Sequence, residues 1–257
     1  MASAPHPEQN HRLTLAYNGT PYQGWQIQGR QPTVQLALES ALQQLWGNRI
    51  RIHGSGRTDT GVHARGQVAH FHAPAKFSHP ERLQAAINAH LPDSIRVVHC
   101  HFVPPSFHSR FSAKGKEYEY RIIHGTVASP FETHFAWQLR RPLQVESMKR
   151  AVRPLIGEHD FASFASNPGY TRESTVRTLY RIDCAQSGNC LTLRFRGSGF
   201  LFRMVRNLTG ALVRVGDGRL TPDDIPHILN QQRRSAAPPP APACGLYLNK
   251  VFYRPVR

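Results

Sequence analysis

The sequence predicts an α+β fold made of two α/β halves with antiparallel or mixed sheets. Three observations carry that expectation. A chain of 257 residues can bury a sizeable core, either as one large domain or as two half-size units. Its segments follow one another as strand, helix, two strands, helix, strand, and the second half repeats that rhythm approximately. This order fits two such halves better than a doubly wound parallel sheet.

Residues 1–10, MASAPHPEQN, lack the charged start and apolar core of a secretory signal and read as a disordered tail, which points to the cytoplasm. The first half, 11–105, opens with the strand LTLAY (Leu13 to Tyr17), ending in the turn-forming NGTPYQGW. In TVQLALESALQQLW, Val34, Leu38, Ala41, Leu42 and Leu45 recur at helical spacing behind Thr33, an N-cap residue after Pro32. RIRIH reads as a strand, and after the glycine-rich GSGRTDTG comes QVAHFHA, which alternates like one. PERLQAAINAHL fits a second helix and IRVVHCHFV a strand.

The second half, 106–257, begins with the loop Ser106 to Lys114 and the strand KEYEYRII. VESMKRAVRPLIG fits a helix, and TVRTLYRIDCA and LTLRFRG fit strands. A helix is expected from Phe200 to Val215, with Gly216 as its C-cap. It places Leu201, Val205, Leu208, Leu212 and Val215 on one stripe, with Arg203, Arg206 and Arg214 off it. TPDDIPHILNQQ is a short helix, RRSAAPPPAPAC a proline-rich loop, and GLYLNKVFY the last strand.

Thirty-two Lys and Arg against sixteen Asp and Glu leave a net charge of +16. In a chain with ordinary globular hydrophobicity this points to a polyanionic partner, nucleic acid ahead of an anionic membrane. The excess is mostly arginine, whose planar fork suits phosphate and stacks on bases. No apolar run approaches the roughly 20 residues of a membrane span, so a soluble protein is expected. Cys100, Cys184, Cys190 and Cys244 form no C-x-x-C pair and read as buried thiols rather than disulfides or zinc ligands.

Familiar catalytic signatures are missing. GSGRTDTG lacks the GK[ST] of a phosphate-binding loop, and there is neither a dinucleotide G-x-G-x-x-G nor a G-x-S-x-G nucleophile elbow. His70 with His72, and His99 with His101, share strand faces in the manner of zinc ligands, but no carboxylate or cysteine falls at a recognised ligand spacing.

GSGRTDTGVHA, Gly54 to Ala64, holds one carboxylate flanked by Arg57 and His63. Local pattern alone favours Asp59 as an Asx-turn acceptor. The neighbouring guanidinium of Arg57 instead favours an ionised carboxylate, a nucleophile or base rather than an acid. Tyr118 and Tyr120 alternate on one face of KEYEYRI, either as core packing or as a stacking surface for a flipped base.

GSGRTDTGVHA resembles the catalytic-aspartate motif of the tRNA pseudouridine synthase A family. YNGTPYQGWQIQ resembles its opening motif and FHSRFSAKGKEYEYRI its central tyrosine motif, while GEHDFASFA, GFLFRMVRN and PACGLYL resemble its later segments, in order. The resemblance implies the pseudouridine synthase fold, two α/β halves around a central basic cleft, assembled as a homodimer. It also implies an isomerase that converts uridine to pseudouridine at positions 38, 39 and 40 in the anticodon arm of tRNA. By motif, Asp59 is the catalytic aspartate and Arg57 helps displace the target base. Tyr118 stacks on the uracil and is a candidate base, Arg206 pairs with Asp59, and Leu246 lines the apolar pocket. Arg203 is near enough to Arg206 that helical geometry does not separate the two. The isomerisation conserves atoms and oxidation state, so it calls for no cofactor. The competing class is a non-catalytic basic RNA-binding or RNA-chaperone module, which the same charge would serve.

Overall fold

The computed structural model describes residues 7–167, 169 and 173–256. It divides into two units, the first running to Ala113 and taking in Leu248–Arg254, the second covering Lys114–Tyr247. Both are α+β with antiparallel pairing dominant.

In the first unit the elements are β1 (Glu8–Tyr17), α1 (Val34–Trp46), β2 (His53–Gly54), β3 (His63–Pro74), α2 (Pro80–Ala89) and β4 (Ile95–Val103). β1 lies between β4 and β3, antiparallel to both, and β2 pairs with β3. Thr33 caps α1 by accepting from the Leu36 amide, and Gly47 closes it in the left-handed conformation. The predicted stripe of α1 buries Val34, Leu38 and Leu42 completely, alongside Leu13, Leu15, Leu83 and Ile87. Each such side chain contributes about 1.5–3 kcal/mol by leaving water.

Three expectations for this half need correction. Residues 8–10 are not tail but the start of β1, where Asn10 is buried and donates to the carbonyl oxygens of Pro104 and Phe107; residues 1–6 of the expected tail lie outside the described residues. RIRIH is not a strand until His53. Buried Glu39 of α1 accepts from the Ile52 amide and from Arg49, and Gln35 donates to the Ile52 carbonyl oxygen, so helix side chains satisfy groups a strand partner would have taken. The first unit also runs past residue 105. Ser109 donates to the His53 carbonyl oxygen and accepts from the Tyr253 hydroxyl at its own carbonyl oxygen, tying the loop down.

The second unit contains β5 (Gly115–His124), β6 (Trp137–Leu139), α3 (Val145–Val152), β7 (Gly157–Asp160), β8 (Val176–Ser187), β9 (Cys190–Gly197), α4 (Met204–Gly216) and α5 (Asp224–Asn230). Its sheet runs β5-β9-β8-β7, all antiparallel, with β6 parallel to β5. The last strand, β10 (Leu246–Phe252), gives Leu246 and Tyr247 to this unit and its remainder to the first.

The helix expected from Phe200 starts at Met204, because Arg203 sits at φ 59°, a left-handed conformation that no helix continues through. Gly216 is the last helical residue rather than the cap. A Cβ there would lie 2.7 Å from the Met148 Sδ, so its small size serves α3–α4 packing. All five residues of the predicted stripe are buried. The α3 helix stops at Val152, before Pro154, and α5 is shorter than its pattern.

Candidate active site

In the first unit two sequence motifs form one device. The segment Tyr17 to Trp25 clasps the loop that carries Asp59. The Trp25 amide donates to the Thr58 carbonyl oxygen (3.0 Å), the Gly61 amide to that of Tyr22 (3.3 Å), and the Gly19 amide to His63 Nδ1 (3.0 Å). The Tyr17 and Thr58 hydroxyls hydrogen bond at 2.9 Å in the interior, and burial pushes the Tyr17 phenol up to about 12. Gly24, at φ 83°, is required here: a Cβ would stand 2.5 Å from the Thr58 carbonyl oxygen.

The other side of the loop is tied to β3. Ser55 donates from its amide to the Val68 carbonyl oxygen (2.7 Å) and from its hydroxyl to Gln67 Oε1 (2.8 Å), while Gln67 Nε2 donates to the Gly56 carbonyl oxygen (2.9 Å). Ser55, Thr58, His63 and Gln67 are all buried, whereas Asp59 is half-buried and Arg57 exposed. The loop thus presents its carboxylate from an anchored backbone. Closure is local, since the Val62 amide donates to the Asp59 carbonyl oxygen (3.1 Å).

His63, which flanks the carboxylate in sequence, is a structural anchor through Nδ1. His70 accepts from the Ser109 amide at Nδ1 (3.2 Å) and shares a hydrogen bond with its hydroxyl (2.9 Å). Among the described residues no group of three or more His, Cys, Asp or Glu is placed to hold a metal ion. The cysteines are free thiols, with Cys100 buried and the other three partly so.

The second unit holds Tyr118, Arg203, Arg206 and Leu246. On β5, Tyr118 lies opposite Phe195 of β9 and meets the Phe200 ring edge-on at 5.0 Å. Tyr120, two residues on, is fully buried and donates to the Pro242 carbonyl oxygen (2.6 Å); burial pushes its phenol up. Both rings are buried, Tyr120 completely and Tyr118 to 8% exposure.

Arg206, half-buried on the first turn of α4, donates from Nε to the Ala241 carbonyl oxygen (2.8 Å), and the Ala241 amide donates to the Arg206 carbonyl oxygen (2.9 Å). That reciprocal pair joins α4 to the segment that ends in buried Leu246. Arg203 is exposed, its guanidinium 4.9 Å from the centre of the Phe202 ring. The two arginines that helical spacing left equivalent thus have different surroundings.

Tyr17, Trp25, Thr58 and Gln67 escaped the reading of the sequence as site residues. Gln67 alone left a signal, a polar residue alternating with Ala69 and Phe71 on a face that proves buried.

A family model described as tRNA pseudouridine synthase matches residues 14–112 and 151–254. Three relatives named tRNA pseudouridine synthase A align over almost the whole chain. That of Methylacidiphilum infernorum is 46% identical over 95% of this chain and 96% of its own. That of Chlamydia trachomatis is 42% identical over 95% and 91%, and that of Rhodopseudomonas palustris 42% identical over 95% and 99%.

Proposed function

The chain belongs to the tRNA pseudouridine synthase family, and from that premise we propose that it isomerises uridine to pseudouridine at positions 38, 39 and 40 of tRNA, with Asp59 as the catalytic carboxylate. The observation that carries this reading is the clasped loop, in which buried neighbours hold the backbone while Asp59 stays accessible. Preorganisation of this kind is what a reaction at a fixed sugar and base demands.

The reaction breaks the bond from N1 to C1′, turns the uracil, and joins C5 to C1′. The target base must first leave its stack, at a cost of a few kcal/mol. Arg57 displaces it, Tyr118 stacks on it and serves as the candidate base, and Leu246 lines the apolar side of its pocket, with Arg203 contributing to substrate binding. Arg206 pairs with Asp59, which lowers the cost of removing the carboxylate from water. Attack at C6, attack at C1′ and removal of the 2′ proton each need one ionised carboxylate beside the ribose and base. Asp59 is the carboxylate we assign to whichever of the three operates.

The first half thus carries the carboxylate and the second the tyrosine and arginine motifs. The protein acts in the cytoplasm as a homodimer, and its net charge of +16 suits it to the tRNA backbone. Among the described residues no helix is long and apolar enough to cross a membrane.

The experiment is pseudouridine mapping in tRNA after incubation with purified protein. Asp59→Asn is expected to bind tRNA and form no pseudouridine. Wild-type turnover in that variant would remove Asp59 from the chemistry. A wild-type chain that binds tRNA in a salt-sensitive manner and modifies nothing would make it an RNA-binding module instead.

A further inference from the structure

The second unit carries a cavity that the reaction above does not use. Its volume is about 350 Å³, and one part of its wall is apolar: Trp137 and Leu139 of β6, Val213 of α4, and the rings of Pro239 and Pro240. The rest is cationic, with Arg140, Arg141, Arg214 and Arg219 against a single carboxylate, Asp217. Asp217 Oδ2 lies 3.6 Å from both Arg214 Nη1 and Arg219 Nε, so it is shared between two guanidinium groups. Arg140 and Arg141 have no hydrogen-bond or ion-pair partner among the described residues.

The proline wall is held in place. Arg234 donates from Nη1 to the Ala237 carbonyl oxygen (2.6 Å) and from Nη2 to the Pro238 carbonyl oxygen (2.8 Å) and Asn207 Oδ1 (3.0 Å). On the far side the Ala241 amide is fixed to α4 through Arg206. Trp137 packs edge-on to the buried Tyr120 ring, 6.4 Å between centres. Such a cavity exists before any ligand arrives, which lowers the ordering cost of binding.

We propose that this cavity is a nucleotide site that takes one phosphorylated nucleoside, phosphate towards Arg140 and Arg141 and base against Trp137 and the prolines. A guanidinium fork matches phosphate oxygens in pairs, and flat apolar walls accept the face of any base. The volume sits at the small end of ligand sites, which run from about 300 to 1,000 Å³, and suits one nucleotide rather than two. Inorganic phosphate would leave the apolar half unused. Two sources supply this chemistry, an unpaired nucleotide of bound tRNA or a free nucleoside monophosphate.

The test uses the full chain in three forms: wild type, Arg140→Ala/Arg141→Ala, which removes two exposed charges, and Leu139→Trp, which fills the cavity and keeps all four arginines. Calorimetric titration with uridine and adenosine 5′-monophosphates, and with inorganic phosphate, reads the free-nucleotide source. The KM for tRNA in pseudouridine formation reads the tRNA source. A free nucleotide is expected to bind wild type at least about tenfold more tightly than phosphate and to lose about tenfold or more in both variants. If the ligand is a nucleotide of tRNA, both variants raise KM and leave kcat unchanged.

The proposal falls if Leu139→Trp changes neither nucleotide binding nor KM, whatever the arginine variant does, because the charges alone would then account for any effect. The tRNA arm rests on the pseudouridine-forming reading. The titration does not, so a chain that forms no pseudouridine still gives an independent answer there.

Discussion

The Trp25 amide donates a 3.0 Å hydrogen bond to the carbonyl oxygen of Thr58, the residue immediately before Asp59. Through this bond the position of the carboxylate depends on a turn more than thirty residues upstream, and Gly24 packs directly on the Thr58 carbonyl within that turn. We expect Gly24→Ala to strain the backbone by about 1–3 kcal/mol at φ 83°, with overpacking against Thr58 adding a similar amount. Pseudouridine formation should fall by about tenfold or more, and the melting temperature by several degrees. An unchanged kcat in a variant with a lowered melting temperature would show that the clasp serves stability alone.

The hydroxyl pair of Tyr17 and Thr58 makes a second, gentler test. Tyr17→Phe keeps the buried ring and strands the Thr58 hydroxyl, which is itself buried. An unsatisfied buried hydroxyl costs about 1–3 kcal/mol. Denaturant unfolding should show that loss, and kcat should drop while KM for tRNA holds, since no substrate contact is removed. A change confined to KM would instead assign Tyr17 to substrate binding.

Acid should destabilise the first unit through two imidazoles. Burial, together with the charges of neighbouring histidines, lowers His11 and His70 from the ordinary 6.5 to about 4. The folded protein therefore binds fewer protons than the unfolded chain between those values, and its stability falls as pH drops from about 6.5 towards 4. Both ring nitrogens of His11 are buried without a hydrogen-bond partner among the described residues, and the ring stacks on Phe71 at 4.7 Å. His11→Phe keeps the stack and removes the titrating group. Thermal melts across that window should show a shallower acid loss in the variant; equal slopes would mean that other groups govern it.

How much of this was legible in the sequence varies with the range of the interactions involved. The stripe of α1, its Thr33 cap and the β4 strand are local patterns, and they appear where they were read. β2 shrank because the groups satisfying Ile52 come from Glu39 and Gln35, thirteen and seventeen residues away. The start of α4 moved because Arg203 adopts a left-handed φ that propensity does not assign to arginine. Within GSGRTDTGVHA the pattern alone favoured a turn cap, and the ordered run of motifs pointed to catalysis. The clasp by Tyr17 and Trp25 had no local signature, since it joins segments that meet only in the folded unit.

Tyr118 and Tyr120 share a strand face but differ in what substitution should do. Tyr120 donates to the Pro242 carbonyl oxygen from full burial, so Tyr120→Phe is a stability variant. Tyr118 keeps slight exposure and meets the Phe200 ring at 5.0 Å, a contact that Phe would preserve. If the Tyr118 phenol takes a proton from the isomerising base, Tyr118→Phe should lose about 10²-fold in turnover, the lower range for general acid–base groups, with tRNA affinity nearly unchanged. Tyr118→Leu, which removes the ring, should weaken tRNA binding as well. Full multiple-turnover activity in Tyr118→Phe would leave the phenol no part in proton transfer, and stacking alone would then account for the tyrosine.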